Sequence, residues 1–243
     1  MSETLLSNYP PPRRVLVIYA HPDDAEFFAG GTIARWASEG AHITLFLITS
    51  GDKGTGDRTF SPADLRNLRE TETRSAAEML GINDVIFMRW PDGEVISSLA
   101  LRRAIVRMIR LKQPDTVLSS DPRNRWRGNR RLNHPDHWIV ASEVMSAVYP
   151  AARDHLNFPE LLRDEGLEPY ITTYLYLALP TEPNLRIETT AFQPQKLAAL
   201  SEHKSQIHDF EALRQRLAAN HDLTLSSANE PRYAEYFRLI TLS

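Results

Sequence analysis

The chain has 243 residues, of which 42% are hydrophobic and 24% are charged, and its formal net charge is -3 at pH 7. This composition is typical of a globular protein with a full apolar core, and the negative charge gives no general attraction to nucleic acid or to anionic membranes. Because the chain contains no cysteine, disulfides and thiolate chemistry are excluded, and any metal must be bound by His, Asp or Glu. No stretch resembles a signal peptide or a membrane span of ~20 apolar residues, so a cytoplasmic protein is expected.

The length predicts a single domain over residues 1–243 that begins with a loose, proline-containing lead over residues 1–12. The first strand is predicted over Arg14–Ala20, and the first helix from about Pro22 to Glu39. The inward stripe of that helix is expected at Phe27, Gly30, Gly31, Ala34 and Ala37.

One imidazole and two carboxylates lie in the turn between this strand and this helix, in the sequence His21-Pro22-Asp23-Asp24. Pro22 cannot extend a central strand, but its fixed φ suits the first turn of a helix. In open α/β sheets, ligands bind outside the carboxyl ends of the strands. His21 and Asp24 therefore form a candidate half-site for zinc, with Asp23 beside them. The alternative is that these residues only cap the helix.

A glycine-rich loop, Ser50–Asp57, follows the second predicted strand, His42–Thr49, at the same edge of the sheet. It lacks the spacing of a Walker loop, and the turn after the first strand lacks a dinucleotide fingerprint. We interpret it as a mobile wall of an active site, with a simple turn as the alternative.

The second helix is predicted over about Pro62–Leu80. Its apolar stripe is expected to contain four residues: Leu65, Leu68, Ala76 and Met79. Glu72 lies on the same stripe, and a carboxylate on an apolar face needs a partner. An intrahelical pair with Arg69 is expected, and a supporting role behind the active site is the alternative.

The pattern of a strand followed by a helix continues through the next three elements. They are a strand over Asp84–Trp90 that precedes the turn Pro91-Asp92-Gly93, a helix over Ser98–Lys112 and a strand over Asp115–Ser120. Repeated alternation of this kind predicts parallel strands with right-handed crossovers. We expect an α/β fold with a Rossmann-like, mostly parallel sheet of about five to six strands and helices on both faces.

Asp121 to Asn133 is predicted to be a loop, and it contains five arginines together with Trp126. Arginines interleaved with an aromatic residue can bind nucleic acid, but the negative net charge argues against that function. Two interpretations stay open: a solvated loop, or a substrate wall in which Trp126 covers the face of a sugar.

A second histidine-containing motif, Asn133-His134-Pro135-Asp136-His137, follows this loop. Pro135 suits the first position of a helix, which makes His134 the capping residue and places His137 in the first turn. His137 shares a helix face with apolar residues and is expected to point inward. The positive end of a helix disfavours imidazolium and suits a neutral, metal-binding nitrogen.

The rest of the chain is predicted to complete the sheet and to cover it. The expected elements are a loop and short helix within Ala151–Pro169, strands over Thr172–Leu179 and Leu185–Glu188, and helices over Pro194–His208 and Asp209–Ala219. The last segment, which ends in Arg238–Leu242, is either a closing strand or an oligomer contact.

The two histidine motifs together resemble those of the PIG-L/LmbE-like family of zinc-dependent N-acetylglucosaminide deacetylases. The resemblance covers roughly Arg13–Gln206. Besides the two motifs it includes Gly30-Gly31-Thr32, Thr49-Ser50-Gly51-Asp52, Arg69 with Glu72, Pro91-Asp92-Gly93-Glu94, Asp121-Pro122, Lys196–Leu200 and His203–Gln206. Ala25 stands where the family often has an acidic residue, and Asp52 stands where Glu is common. These departures leave the chemistry in place but leave the subfamily, and hence the substrate, open.

The resemblance implies a role for each site residue. His21, Asp24 and His137 would be the zinc ligands, Asp23 the general base, and His134 an imidazole that stabilises the oxyanion or protonates the leaving amine. Arg69 and Trp126 would be near the substrate, and His203 would be near the substrate or an oligomer contact. Three protein ligands leave a fourth zinc position for water, as amide hydrolysis requires.

The expected function is removal of the acetyl group from an N-acetylglucosamine-type sugar or glycoconjugate, with Zn²⁺ as cofactor and no nucleic acid or membrane partner. A homo-oligomer is compatible with the sequence. Two alternatives are zinc-dependent hydrolysis of another amide or ester, and a catalytically silent sugar-binding module on the same fold. The second is disfavoured because Asp23 and His134 are needed for turnover and not for metal binding.

Overall fold

The structure is a computed structural model that describes residues 9, 11–227 and 230–242. Its strands are β1 (Arg14–Tyr19), β2 (His42–Thr49), β3 (Asp84–Trp90), β4 (Thr116–Ser120), β5 (Trp126–Arg127), β6 (Arg131–Leu132), β7 (Tyr174–Ala178), β8 (Leu185–Glu188) and β9 (Ala234–Thr241). Its helices are α1 (Asp24–Ser38), α2 (Pro62–Leu80), α3 (Leu99–Lys112), α4 (Pro135–Ser146), α5 (Pro159–Glu165), α6 (Gln193–Glu202) and α7 (Phe210–Ala219). Most of the predicted lead, residues 1–8 and 10, lies outside the described residues.

Seven strands form one sheet in the order β3-β2-β1-β4-β7-β9-β8. The first five of these pair in parallel, and β9 pairs antiparallel with both β7 and β8. The predicted α/β class with a mostly parallel sheet is therefore confirmed. The sheet has one strand more than expected because the closing segment is β9. Its charged residues Glu235 and Arg238 interrupt the apolar pattern that would identify a buried strand.

Apolar cores lie on both faces of the sheet, which explains why β1 is a continuous apolar run. Val15 and Val17 face a core shared with α1, α2 and α6, whereas Leu16 and Ile18 face a core shared with α3 and α4. All four are at most 2% exposed. Within the described residues no helix is long and apolar enough to cross a membrane.

Helix α1 is buried on more sides than its predicted stripe implies. Ile33 and Trp36 are fully buried, while Phe27 and Ala37 are only partly buried. The backbone of Ala29 is not helical (φ -150°, ψ 18°), so the helix is interrupted there. The predicted stripe is therefore confirmed at Gly30, Gly31 and Ala34, but it does not describe the whole buried surface of this helix.

The inward face of α2 contains Leu65, Glu72 and Ala76, as predicted, but differs from the predicted stripe at other positions. Leu68 and Met79 are 37% and 45% exposed, whereas Arg69 and Glu72 are 4% and 8% exposed. The expected intrahelical Arg69–Glu72 pair is also wrong, because both side chains have partners outside the helix. Glu72 accepts hydrogen bonds from Ser205 N and Oγ at 2.7 and 2.6 Å.

Two further boundaries differ from the sequence prediction. Helix α6 ends at Glu202 and not at His208, because the chain turns at His203 so that Ser205 reaches α2. The arginine-rich segment is not only a loop, because β5 and β6 form a short antiparallel hairpin within it, with Trp126 opposite Leu132.

Candidate metal centre

The two histidine motifs meet at one edge of the sheet. His21 and Asp24 follow β1, and His134 and His137 begin α4, which follows β4 and the hairpin. Because β1 and β4 are adjacent and parallel, their carboxyl ends open toward the same crevice. The topology therefore brings together side chains that are separated by more than 100 residues in the sequence.

Three acceptor groups converge in this crevice. His137 Nε2 lies 3.1 Å from His21 Nδ1 and 3.0 Å from Asp24 Oδ1. His21 Nδ1 lies 3.6 Å from Asp24 Oδ2. Ligands of a tetrahedral zinc ion with bonds of about 2.0 Å are about 3.3 Å apart. His21, Asp24 and His137 thus have the spacing of three ligands around one ion, and they form a group able to hold a metal.

Neighbouring polar groups determine which nitrogen of the His21 and His137 rings faces the space between these residues and Asp24. His137 Nδ1 lies 2.8 Å from Asn133 Oδ1, and His21 Nε2 lies 3.1 Å from Asp92 Oδ1 and 3.3 Å from Asp136 Oδ2. When these outer nitrogens carry hydrogen and donate, the inner nitrogens of both rings present lone pairs. Two lone pairs and a carboxylate in such proximity suit a divalent cation, and the outer contacts are typical of metal-binding histidines.

The charges at the centre also favour a cation. Burial opposes the charged form of His21, yet the carboxylates of Asp136, Asp24 and Asp92 raise the pKa of its imidazole well above the usual value. Burial also opposes the charged form of Asp24, but His137 and His21 hold the pKa of its carboxyl far below the usual range. Buried carboxylates that keep their charge need a positive partner. A proton on the His21 imidazole is one such partner, and a metal ion that displaces this proton is another.

Asp23 projects from the same turn but stays outside the three-acceptor group. Its backbone is in the left-handed region (φ 82°), where a residue other than glycine is uncommon. Burial raises the pKa of its carboxyl to about 6, although the guanidinium of Arg69 opposes this shift. Arg69 Nη2 lies 3.6 Å from Asp23 Oδ2. Asp23 is therefore a carboxylate beside the centre with a pKa close to neutrality.

His134 caps α4, as predicted. Its Nδ1 accepts a hydrogen bond from Asp136 N at 3.3 Å, and its side chain is 42% exposed. Burial and the neighbouring His21 lower the pKa of its imidazole. In the neutral ring Nε2 then carries the hydrogen, and this nitrogen is a donor at the mouth of the centre.

The centre opens into a cavity of about 590 Å³, which is lined in part by Asp23, Phe27, Phe28, Arg69 and His134. Lys53 and Gly54 of the glycine-rich loop also line it, so this loop forms part of the wall as predicted. Trp126 is 65% exposed and is not among the lining residues, but its cross-strand partner Leu132 is.

Arg69 is buried between the turn that follows β1 and the glycine-rich loop. Its Nη1 donates to the carbonyl of Gly51 at 3.1 Å, and its Nη2 donates to the carbonyl of Pro22 at 3.0 Å. A Cβ atom at Gly51 or Gly54 would lie 2.0 or 2.5 Å from Arg69 Nη1. The two glycines therefore leave room for the guanidinium of Arg69 in its observed position.

His203 is not among the residues that line the cavity and is fully buried, with its Nε2 3.5 Å from Glu26 Oε1. A side chain with no exposed surface cannot form an oligomer contact, so that part of the expectation for His203 was wrong. Sequence reasoning also missed Asn133, Asp92 and Asp136 as partners of the two histidines. Asp92 follows the end of β3 at the same sheet edge, and that position was the available signal.

The comparisons with known proteins agree with this geometry. The family model described as PIG-L, GlcNAc-PI de-N-acetylase, matches residues 16–148. The diacetylchitobiose deacetylase of Thermococcus kodakarensis is 29% identical over 94% of this chain and 83% of its own length. A 1D-myo-inositol 2-acetamido-2-deoxy-alpha-D-glucopyranoside deacetylase of Thermobispora bispora is 28% identical over 80% of each chain. The structure of N,N'-diacetylchitobiose deacetylase from Pyrococcus horikoshii superposes with a TM-score of 0.81 at 28% identity, over 95% of this chain and 84% of that one.

Proposed function

Because the chain belongs to the PIG-L family, we propose that it is a zinc-dependent hydrolase that removes the N-acetyl group from an N-acetylglucosamine-type sugar or glycoconjugate. Its relatives named above are deacetylases of such compounds. The observation that carries the proposal is the convergence of His21 Nδ1, Asp24 and His137 Nε2 within 3.0–3.6 Å of one another. Asp23 and His134 line the same cavity without belonging to that group.

His21, Asp24 and His137 would hold the metal. Two imidazole nitrogens and one carboxylate are the ligand set of many catalytic zinc sites, in which three protein ligands leave one position open. When bound, the metal supplies Lewis-acid chemistry: it polarises a carbonyl and makes water more acidic.

Asp23 would act as the general base. A base is most effective when its pKa lies near the working pH, and burial raises the pKa of Asp23 to about 6. Arg69 orients this carboxylate through its contacts with Asp23 and with the Pro22 carbonyl. In the reaction Asp23 takes a proton from the attacking water and transfers it to the amine nitrogen, so that the C–N bond of the tetrahedral intermediate breaks with a neutral amine as the leaving group.

His134 would stabilise the oxyanion. Its Nδ1 is occupied by the backbone N–H of Asp136, so the hydrogen on Nε2 is available to a developing negative charge. The lowered pKa of this imidazole favours a neutral donor over a fully charged one. Of the two roles that the resemblance implies for His134, the geometry supports oxyanion stabilisation more directly than protonation of the amine.

The cavity volume of about 590 Å³ falls in the range usual for small-molecule sites and suits a substrate of one or two sugar units. Leu132 of the hairpin lines this cavity, and its cross-strand partner Trp126 would offer an exposed ring on which a sugar face could stack.

Acetate release from purified protein tests the proposal. The protein is stripped of metal, reloaded with zinc, and assayed with a panel that contains N-acetylglucosamine, N,N'-diacetylchitobiose and N-acetylglucosaminyl inositol. We expect zinc-dependent release of acetate from at least one of them. Release from simple esters or other amides alone would favour the alternative hydrolase, and zinc binding without any hydrolysis would favour the silent sugar-binding module.

A further inference from the structure

One backbone hydrogen bond of helix α1 is missing, and two charged side chains bind its donor and its acceptor instead. In a regular helix the Gly31 N–H would pair with the Phe27 carbonyl, but the non-helical backbone of Ala29 interrupts the helix between them. Glu235 Oε1 accepts from Gly31 N at 3.0 Å, and Lys196 Nζ donates to the Phe27 carbonyl at 3.1 Å. The free N–H of Gly31 and the free carbonyl of Phe27 are thus satisfied by side chains from β9 and α6.

Lys196 and Glu235 also bind each other, and both are buried. Lys196 Nζ lies 2.6 Å from Glu235 Oε1, and the two side chains are 9% and 8% exposed. Glu235 Oε2 accepts a further hydrogen bond from Thr32 N at 2.8 Å. Burying two charges costs desolvation energy that a regular helix would not incur. Stability alone therefore does not explain why the helix is broken and bridged in this way.

The glycines of the Gly30-Gly31-Thr32 motif make room for this arrangement. A Cβ atom at Gly30 would lie 3.1 Å from Cγ of Lys196, so the stem of that lysine rests on the glycine. A Cβ atom at Gly31 would lie 2.6 Å from Cβ of Thr189. Close packing therefore accounts for both glycines, Gly30 against Lys196 of the ion pair and Gly31 against Thr189, and neither is explained by the metal centre itself.

The break isolates the first five residues of α1, Asp24–Phe28, from the rest of the helix. A single helical turn has little stability of its own and depends on contacts at its ends. Arg69 holds the N-terminal end through the carbonyl of Pro22, and Lys196 holds the C-terminal end through the carbonyl of Phe27. Two buried cations therefore fix the turn that carries Asp23 and Asp24.

We propose that Lys196, oriented by Glu235, is a positioning residue for the deacetylation reaction. It acts through the Phe27 carbonyl on the isolated turn, and so on the relative placement of Asp23, Asp24 and the cavity wall formed by Phe27 and Phe28. The inference rests on the proposed function for its reaction. The claim that Lys196 fixes the position of the turn that carries Asp23 and Asp24 does not depend on the reaction, and it is tested separately by a spectrum of the bound metal.

The first test substitutes Lys196→Met, which keeps the length of the stem and removes the donor. We expect kcat to fall about 10- to 100-fold, because a small misplacement of reacting groups has effects of that order. The second readout is the visible absorption spectrum of the cobalt-substituted protein, which should change in band position or intensity because Asp24 shifts relative to the two histidines. Lys204→Met is the control, since Lys204 follows the same helix and its side chain is 76% exposed; its kcat and spectrum should match the wild type.

A second variant separates positioning from stability. Lys196→Met leaves the Glu235 carboxylate buried without its cation, which should lower the thermal midpoint. The double variant Lys196→Met/Glu235→Gln removes both charges, so its midpoint should move back toward that of the wild type while kcat and the cobalt spectrum stay altered.

Two results would overturn the inference: wild-type kcat and an unchanged cobalt spectrum in Lys196→Met, or recovery of kcat and spectrum together with the midpoint in the double variant. Failure of the proposed function is distinguishable from both. In that case the wild type releases no acetate from any substrate, and the cobalt spectra alone decide whether Lys196 positions the turn.

Discussion

Asn133 Oδ1 lies 2.8 Å from Nδ1 of His137, and this contact determines which nitrogen of the ring faces Asp24. With hydrogen on Nδ1, the ring turns the lone pair of Nε2 toward the carboxylate, 3.0 Å from Asp24 Oδ1. Asn133 also fixes its own position, because its Nδ2 donates to the carbonyl of Asn124 at 2.6 Å. The amide therefore sets both the tautomer and the orientation of a proposed metal ligand.

Replacing Asn133 tests this relationship. Asn133→Ala should weaken zinc binding about 10- to 100-fold, the usual effect of removing an outer partner from a metal-binding histidine. Asn133→Asp keeps an acceptor at the same place and should bind zinc more tightly than the alanine variant. Competition titration against a chromophoric chelator measures both affinities. Equal affinities in the wild type and Asn133→Ala would show that the contact does not support the metal.

The sequence was sufficient to predict most of the parallel sheet and the meeting of the two histidine motifs. Both motifs follow apolar strands, and the carboxyl ends of adjacent parallel strands must share an edge. The partners of the histidines were harder to predict. Asp92 lies in a turn whose Pro-Asp-Gly sequence is accounted for by local backbone preferences alone, and only the tertiary fold brings it 3.1 Å from His21.

The inward faces of α1 and α2 show a second limit. Leu68 and Met79 fit an apolar stripe, yet the face that packs inward contains Arg69 and Glu72. A buried charge is tolerated only when partners arrive from elsewhere in the chain, here Gly51, Pro22 and Ser205. Hydrophobic periodicity contains no information about such distant partners, so it missed Arg69 and extended the inward face to the exposed Leu68 and Met79.

His134 and His137 should respond differently to the same substitution. His137→Ala removes a member of the three-acceptor group and should lose zinc, whereas His134→Ala removes a donor at the cavity mouth and should keep zinc while kcat falls. Zinc analysis of the dialysed proteins, together with acetate release at saturating zinc, measures both effects. If His134→Ala lost its zinc and His137→Ala kept it, the two roles would have to be exchanged.

Glu70 should contribute to the pH dependence of stability. Its carboxylate accepts hydrogen bonds from Arg89 Nε at 2.8 Å and from Ser50 Oγ at 2.8 Å. Arg89 holds the pKa of Glu70 below its usual value, burial opposes this, and Ser50 lowers it further. Since the folded pKa is the lower one, the stabilisation is complete above about pH 5 and is lost as the pH falls below the ordinary glutamate value of about 4.3.

Chemical denaturation between pH 3 and 7 measures this contribution. The unfolding free energy of Glu70→Gln should be lower than that of the wild type near pH 7, and the two should approach each other toward pH 3. Glu78→Gln is the control, because Glu78 lies on the same helix, α2, with an exposed side chain. Parallel curves for Glu70→Gln and the wild type would contradict the assignment.

Trp126 offers a test of the hairpin as a substrate wall. Trp126→Ala should raise KM for sugar substrates and leave the zinc content unchanged, because the ring lies outside the metal centre. Leu132→Ala alters the cross-strand partner that does line the cavity and should raise KM as well. If KM were unchanged in both variants across the substrate panel, the hairpin would be a solvated surface segment and not a substrate wall.

Asp23 and Asp24 should behave as opposites although they are neighbours in the chain. Asp24 belongs to the three-acceptor group, 3.0 Å from His137 Nε2, and also accepts a hydrogen bond from the backbone of His21 at 3.0 Å. Asp23 has left-handed backbone dihedrals, so its carboxylate points instead toward Arg69. Asp23→Asn keeps the shape and removes the proton acceptor. We expect normal zinc content with kcat lower by roughly 10²–10⁴-fold, the usual contribution of general acid–base catalysis.

Asp24→Asn replaces a charged ligand by a neutral amide, so it should lower zinc affinity itself and be partly rescued by excess zinc. Zinc stoichiometry and acetate release, measured for both variants across a range of added zinc, separate the two effects. A further sign is expected in the pH profile: wild-type kcat/KM should rise with pH as Asp23 loses its proton, and this rise should be absent from the residual activity of Asp23→Asn. If Asp23→Asn loses its metal, or hydrolyses substrate as fast as the wild type, the carboxylate beside Arg69 is not the base.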